Sequence, residues 1–469
     1  MESNIELTQF ITEKLFSYQI EHTLNLIYIL TRNISILDSS DTGTGKTYTA
    51  LAVCKQLNLN PIIICPKSVM NTWKKISKLF EVQPIMIVNY ETIKLVKYYI
   101  EKNGIMERVD CPYINLAKNE KNKVDYVWNL NGSDNVLFIF DEVHKCSNIN
   151  SENGKLLFSA KNQEKYMLIL SATIADHPEK FKLFFYILNF IDPKNVKEKN
   201  LTFNQYMIIM NRWIFRDKKP MNRIYSMLYP ERSSRMKIDV LGDLFPETQI
   251  IAQPYNLGRK RELEIEREYK NLADEMEQIR NKQKGDKGNI LTSIMRAQQK
   301  IEIIKIPIFV ELTYDFIENG FSVVIFVNFT QTLQTLAQML YTDCLIYGEQ
   351  TAEQRNKNIE DFQENKKRII ICNTKAGSLG LSLHDLNGNY PRVSLISPNW
   401  DATSLIQALG RVHRAGGKSK SLQRIIYVAN TVEEKIAEKL EGKLQNLNTI
   451  NNGDVDLTNI TFEKERINA

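Results

Sequence analysis

Leu37-Asp38-Ser39-Ser40-Asp41-Thr42-Gly43-Thr44-Gly45-Lys46-Thr47 is the stretch that decides the fold. A mostly apolar run, Ile34 to Leu37, leads into it, and Gly45-Lys46-Thr47 closes it. That order reads as a strand, a phosphate-cradling turn and the start of a helix. Thr42, Gly43, Thr44, Gly45, Lys46 and Thr47 would offer backbone N–H groups, an ammonium and a hydroxyl to a nucleotide's phosphates and its Mg²⁺. The usual pattern of such loops has Gly five residues before Gly45, where this chain has Ser40. An ordinary Gly-rich turn before a helix is the competing reading of this segment taken alone.

A length of 469 residues allows two or three domains. The apolar content of 43% and charged content of 25% are those of a globular protein with a sizeable core. The formal net charge of +6 permits a nucleic-acid partner without demanding one, because a local basic groove matters more than the total. The six cysteines, at 54, 65, 111, 146, 344 and 372, form no Cys-x-x-Cys pair. A zinc site or disulfide framework is therefore not expected, and a reducing compartment is. Met1 to Phe10 is polar and lacks a signal-peptide pattern. No apolar run approaches the roughly 18 residues that span a bilayer. The expectation is a soluble intracellular protein of nucleus or cytoplasm, with no membrane partner.

Short apolar runs recur outward from the loop. They are Ile34–Leu37, Ile62–Cys65, Ile85–Val88, Val136–Phe140 and Met167–Leu170, then after a gap Val323–Val327, Arg368–Cys372, Val393–Ile396 and Ile425–Val428. Their continuity predicts strands buried on both faces, as in parallel sheets, and the helical-looking stretches between them predict an α/β class. Between the two strand groups, Arg259 to Arg280 is dense in charge of both signs. Ile265, Tyr269, Leu272, Met276 and Ile279 repeat there at spacings of four and three, one apolar stripe on a charged helix. Gly285-Asp286-Lys287-Gly288 breaks it. That helix reads either as a bridge between two lobes or as a solvated helix outside the chemistry. The expected organisation is a first lobe over 1–200, a linker and helical insertion over 201–300, a second lobe over 301–440 and a flexible tail over 441–469. Residues 100–133 read as an insertion or long loop.

Three further segments carry chemistry. Val136-Leu137-Phe138-Ile139-Phe140-Asp141-Glu142-Val143-His144 ends a buried strand in two carboxylates. In a nucleotide site the first holds Mg²⁺ and the second orients or deprotonates the attacking water. The competing reading, two solvated acids at a strand end, is disfavoured by the Gly-Lys-Thr loop upstream. The next strand ends in Ser171-Ala172-Thr173, small hydroxyl residues common in turns and caps. In Gln407-Ala408-Leu409-Gly410-Arg411-Val412-His413-Arg414, a helix would set Gln407, Arg411 and Arg414 on one face. Two guanidinium forks suit a polyanion, although a solvated basic face is the plainer reading of this segment alone. In phosphoryl transfer such arginines are worth about 10³–10⁵ in rate. Their distance in sequence from Lys46 predicts ATP held between the lobes.

The ordered set Gly43 to Thr47, Asp141 to His144, Ser171 to Thr173 and Gln407 to Arg414 resembles the superfamily-two helicases and translocases over most of residues 15–435. Within them, several segments are similar to the Swi/Snf-type branch. These are Ile62-Ile63-Ile64-Cys65-Pro66-Lys67-Ser68-Val69 with Trp73, Val88-Asn89-Tyr90-Glu91, and Arg235 to Leu241 with Leu244 and Pro246. Thr374-Lys375-Ala376-Gly377-Ser378-Leu379-Gly380-Leu381 and Asn399-Trp400-Asp401 belong to the same set. Lys305-Ile306-Pro307 with Val324-Ile325-Phe326 is faintly similar to the annealing helicases. The resemblance implies two RecA-like parallel-sheet lobes in tandem, with a helical insertion between the strand groups. It implies that Gln19 reads the adenine, Lys46 binds the β and γ phosphates, and Thr47 and Asp141 hold Mg²⁺. Glu142 would activate water, and Gln407, Arg411 and Arg414 would complete the site. His144, Ser171 and Thr173 would couple ATP state to nucleic acid. Lys67, Ser68, Thr92, Thr330, Thr374, Lys375 and Trp400 would line the track, contacting mainly phosphates. Trp400 reads equally as core packing.

Two departures stand out. Ser171-Ala172-Thr173 replaces the Gly-Thr form usual in chromatin remodellers, and Arg414 is followed by Ala-Gly-Gly where Swi/Snf proteins usually carry a further Gln. Nucleosome remodelling is therefore not implied. The expected function is a nucleic-acid-stimulated ATPase using ATP and Mg²⁺, most simply a duplex DNA translocase. A helicase separating DNA or RNA strands is the alternative. An inactive nucleic-acid-binding scaffold is the alternative of another class, and the full set Lys46, Asp141, Glu142, Arg411 and Arg414 argues against it. Expected partners are nucleic acid, duplex DNA before RNA, and proteins of replication, repair or transcription. The Ile-, Asn- and Lys-rich composition fits an AT-rich genome such as that of a large DNA virus, with the protein in host cytoplasm or virion.

Overall fold

The computed structural model describes residues 6–102, 105–118, 124–130, 135–191, 202–238, 241, 246, 248–281, 287–374, 381–398, 401–452, 460–462 and 467–468. The chain divides into two compact units, Met1–Gly242 with Asn446–Leu457, and Asp243–Gln445 with Thr458–Ala469.

The first unit contains β1 (Ser35–Asp38), β2 (Asn60–Cys65), β3 (Met86–Asn89), β4 (Lys97–Lys102), β5 (Ile105–Asp110), β6 (Ile114–Lys118), β7 (Val124–Trp128), β8 (Val136–Asp141), β9 (Tyr166–Leu170) and β10 (Ser233–Ser234). Six of these form a parallel sheet in the order β10-β1-β9-β8-β2-β3. Alternate side chains of one strand enter different layers. Ile62, Ile64, Phe138 and Phe140 join one buried cluster, while Ile63, Cys65, Leu137 and Ile139 join another. This two-sided burial is why the strands read as continuous apolar runs. The register sets Asp38 opposite Leu170 and Leu170 opposite Asp141. The Gly-rich loop, Ser171 and Glu142 therefore leave the sheet along one edge, the carboxyl edge where open α/β sheets place their ligands.

The second unit contains β11 (Thr248–Asn256), β12 (Ser322–Val327), β13 (Leu345–Ile346), β14 (Ile369–Asn373), β15 (Arg392–Ile396), β16 (Ser421–Val428), β17 (Ile460–Phe462) and β18 (Ile467–Asn468). They form a second parallel sheet, β13-β14-β12-β15-β16-β11-β17, with β18 also on β11. Two parallel sheets, each layered with helices, are the tandem RecA-like architecture.

The boundaries differ from those expected. Residues 201–242 fall in the first unit, because Tyr206, Met210, Ile214, Ile224 and Leu228 bury into its core and β10 pairs with β1. The charged helix Arg259–Asn281 forms where its stripe predicts, but it docks on the second unit, where Ile265 is buried with Ile301 of the helix Lys287–Ile304. The stripe's Met276 and Ile279 lie on side chains outside the described residues. The stretch 100–133 contains two antiparallel hairpins, β4–β5 and β6–β7. Trp128 stacks edge-on against Phe138 with ring centroids 4.8 Å apart. In place of a wholly flexible tail, the helix Val432–Asn452 runs past 441, with Leu444 and Leu447 buried. All six cysteines are buried and unbridged.

Candidate active site

The Gly-rich loop turns through Gly43 (φ 86°) and Gly45 (φ 94°), left-handed conformations that disfavour a Cβ. Lys46 then opens the helix Lys46–Gln56. Its ammonium lies inside the loop, donating to the Ser40 carbonyl at 2.7 Å and the Asp41 carbonyl at 3.1 Å. Buried Gln19 closes the loop from the other side. Its Nε2 donates to the Thr44 carbonyl at 2.9 Å, and its Oε1 accepts from the Phe16 N–H at 3.0 Å. A Cβ on Gly45 would displace the Gln19 amide, and its φ of 94° is what holds the position to glycine.

Ser40 has a specific role. Its Oγ accepts the Met236 N–H at 2.8 Å, and its N–H donates to Asp38 Oδ1 at 3.0 Å. Asp41 pairs with the Arg235 guanidinium and accepts the Ile238 N–H at 2.9 Å. The segment after β10 is thereby bonded along the loop. Behind it, buried His22 meets Asp38 at 3.2 Å and Ser234 Oγ at 3.0 Å. Burial alone would push the Asp38 carboxyl up, but His22, Lys46 and the Ser40 hydrogen bond together bring it below its ordinary value.

Asp141 ends β8 half-buried. Its Oδ2 accepts from Trp73 Nε1 at 2.9 Å, and its carbonyl accepts from the Tyr90 hydroxyl at 2.8 Å. Burial, then the adjacent Glu142, push its carboxyl up to about 6, against the opposing pull of Trp73 and Lys46. A nearby cation would relieve that penalty. Among the described residues no three His, Cys, Asp or Glu side chains cluster as a metal cage. Asp141 and Thr47 fit instead the sparse oxygen set that Mg²⁺ takes when phosphates and water supply the rest.

Glu142 adopts a left-handed conformation, φ 55° and ψ 48°, uncommon for a non-glycine residue and found where a site holds strain. Its carboxylate lies 3.3 Å from His144 Nδ1, which also meets Ser171 Oγ at 3.1 Å. Ser171 Oγ in turn accepts the Thr173 N–H at 3.2 Å. The three residues expected to couple, His144, Ser171 and Thr173, are thus linked by hydrogen bonds, Thr173 through its backbone N–H, with Glu142 in ion-pair range of His144.

In the second unit the helix Ala402–Leu409 stops at Gly410. Gln407 lies on that helix, whereas Arg411 and Arg414 lie beyond it, so the three do not share one helical face. Gly410 caps the helix at ordinary backbone angles, φ −72° and ψ 6°, and the loop at 381–382 holds the arginines. Arg411 Nη1 donates to the Leu381 carbonyl at 3.3 Å and Arg414 Nη1 to Ser382 Oγ at 2.9 Å. His413 Nε2 meets the Pro246 carbonyl at 2.7 Å.

The expected track residues divide. Lys67 is exposed and Ser68 half-buried on the turn Lys67–Val69. Thr330 is exposed at the start of the helix Thr330–Met339, its turn set by Glu302 accepting the Asn328 and Phe329 N–H groups at 2.8 and 3.1 Å. Thr92 and Thr374 are each 2% exposed and turned inward, Thr92 to the Tyr99 hydroxyl at 3.0 Å and Thr374 to the Val327 carbonyl at 3.0 Å. Their hydroxyls hold the core in this structure and are not presented to a strand. Lys375 and Trp400 lie outside the described residues. Trp73, Tyr90, His22 and Arg235 were not expected to have site roles. Only the resemblance segments containing Trp73, Tyr90 and Arg235 marked three of them, and nothing marked His22.

Comparison with known proteins gives a consistent result. The family model for the helicase conserved C-terminal domain matches residues 304–416, and that for the type III restriction enzyme res subunit matches 12–176. A putative ATP-dependent RNA helicase of Acanthamoeba polyphaga mimivirus is 39% identical, over 97% of this chain and 87% of its own length. The human SWI/SNF-related matrix-associated actin-dependent regulator of chromatin subfamily A member 1 is 24% identical over 91% of this chain, which spans 43% of that protein. Among solved structures, Saccharomyces cerevisiae Dbp5 bound to RNA and ADP BeF3 covers 98% of the chain and is itself covered to 95%, at TM-score 0.45 and 13% identity. The Sulfolobus solfataricus SWI2/SNF2 ATPase core in complex with dsDNA covers 93%, with 93% of that chain covered, at TM-score 0.35 and 18% identity. These last two likenesses are too slight to bear on function.

Proposed function

The chain belongs to the superfamily-two helicases, enzymes that hydrolyse ATP, and from that premise we propose that it is a duplex DNA translocase of Swi/Snf-like type. The observation that carries the motor reading is the single sheet edge at which Lys46, Asp141 and the Glu142–His144–Ser171–Thr173 chain meet. Lys46 is positioned to exchange two loop carbonyls for phosphate oxygens. Asp141 and Thr47 would hold Mg²⁺, which would neutralise phosphate charge. Glu142 orients the attacking water, and His144 receives the change at that carboxylate and passes it to Ser171. Gln19 reads the adenine, and Arg411 and Arg414 with Gln407 stabilise charge on the transferring phosphoryl group. Lys67, Ser68 and Thr330 contact the phosphate backbone, as do Lys375 and Trp400.

Duplex DNA is preferred because the Trp73-containing segment and the Arg235 segment are Swi/Snf-like, a reading supported by the 24% identical human relative. A second reading, an RNA helicase, draws on the name of the mimivirus relative. A displacement assay separates them. The translocase predicts ATP-dependent removal of a bound obstacle, such as a third strand, from duplex DNA whose own strands stay paired. ATP-dependent separation of an RNA duplex, with no displacement on DNA, would establish the second reading instead.

A further inference from the structure

Between Thr173 and β10 the first unit carries a helical excursion that none of the motifs above includes. It comprises the helix Phe203–Met210, a π-helical turn Asn211–Phe215 and the helix Pro220–Leu228. Its two faces differ sharply. Inward, Met210, Ile214, Met221, Ile224 and Leu228 are at most 6% exposed and lie in the unit's core. Outward, Arg212, Arg216, Lys218, Lys219 and Arg223 are all exposed, and between Arg212 and Arg223 the only acid is Asp217. Five cations less one acid give this short stretch a net +4, against +6 for all 469 residues. The stretch is thus a dense cationic run, backed on its inner side by the unit's core.

Trp213 lies within that surface. It is 44% exposed, and its ring is held edge-on by Phe185, with centroids 6.4 Å apart. The half-exposed indole is flanked in sequence by the exposed cations Arg212 and Arg216. This pairing suits a strand whose phosphates meet the cations and whose bases meet a flat ring. We infer that Arg212–Arg223 is a second nucleic-acid contact, outside the motif-lined track, which holds the flank of the bound strand through its phosphates and stacks a base on Trp213. Its position in the chain gives it a mechanical role. The excursion's last helix, Pro220–Leu228, leads into Ser233–Ser234, which pairs with β1 beside the Gly-rich loop. Nucleic acid held here pulls on a segment bonded directly to Ser40 and Asp41.

The test is equilibrium binding of the full chain to a labelled duplex and a labelled single strand, each of about 30 nucleotides, between about 50 and 200 mM salt. A quadruple variant, Arg212→Gln, Arg216→Gln, Lys218→Gln and Arg223→Gln, is compared with a control that removes four exposed lysines elsewhere, Lys78→Gln, Lys102→Gln, Lys366→Gln and Lys367→Gln. The expected result is at least a tenfold loss of affinity at the lower salt for the first variant. Its slope of log affinity against log salt should be shallower by about two to four, while the control keeps the parent slope. Unchanged slope in the first variant, or equal flattening in the control, overturns the inference. Trp213→Ala, which leaves the charges in place, should weaken single-strand binding about fivefold or more, and it decides the question if the quadruple variant does not fold. An unmoved affinity for that variant also counts against the inference. Failure of the parent itself to bind nucleic acid would instead overturn the motor assignment. Retention of a purely acidic peptide with no competition from either strand would assign the surface to a protein.

Discussion

Asp141 is where the demands of chemistry and of folding conflict. Its carboxyl is half-buried, held by Trp73, and pushed up by desolvation to about 6, against an ordinary 3.8. The folded state therefore binds a proton more readily than the unfolded chain between those values. Native stability falls as pH rises from about 4 to about 6 and stays reduced above it, because the ionised form is buried. Asp141→Asn keeps an acceptor for the indole and removes the charge. Without nucleotide or Mg²⁺ it is expected to be more stable than the parent at pH 8, by about 1–3 kcal/mol. The gain should vanish at about pH 4. Urea unfolding at the two pH values checks this, and a difference independent of pH would contradict the burial argument. The role of Trp73 was not legible beforehand, because nothing in sequence shows an indole N–H meeting a carboxylate 68 residues away.

At the scale of elements, the Gly-rich loop is a shared structure of two segments, and Ser40 is the joint. A glycine there matches the common pattern but cannot accept the Met236 N–H. Ser40→Gly is therefore expected to destabilise the first unit by about 1–3 kcal/mol, the cost of leaving a buried donor unmet. A stability equal to the parent's would show the bond to be dispensable. The same element shows what periodicity can and cannot reveal. The strands beside the loop were legible because both their faces are buried. β10 was not, since Ser233–Ser234 is two polar residues made a strand by β1 alone. β11 was hidden by Gln249, Gln253 and Pro254, residues that argue against a central strand. The basic segment at 407–414 was legible as chemistry but not as geometry, because Gly410 ends the helix on which a shared face depended.

Across the whole molecule, the two sheets followed from the sequence, and Lys46, Asp141 and Glu142, the proposed ATP-site residues, each sit where a buried strand meets a loop. The track followed less well. Segments that line a groove also pack beneath it, and Thr92 and Thr374 show that a matched position can belong to the core. The boundary at 242 rather than 200 reflects apolar faces on 203–228 that only the packed sheet reveals. The most direct test of the account is steady-state ATP hydrolysis by the parent and by Lys46→Ala, with duplex DNA, single-stranded DNA and RNA side by side. The account predicts that duplex DNA stimulates the parent most, and that Lys46→Ala hydrolyses no ATP while still binding DNA. Stimulation by RNA alone, or hydrolysis by Lys46→Ala equal to the parent's, would contradict it.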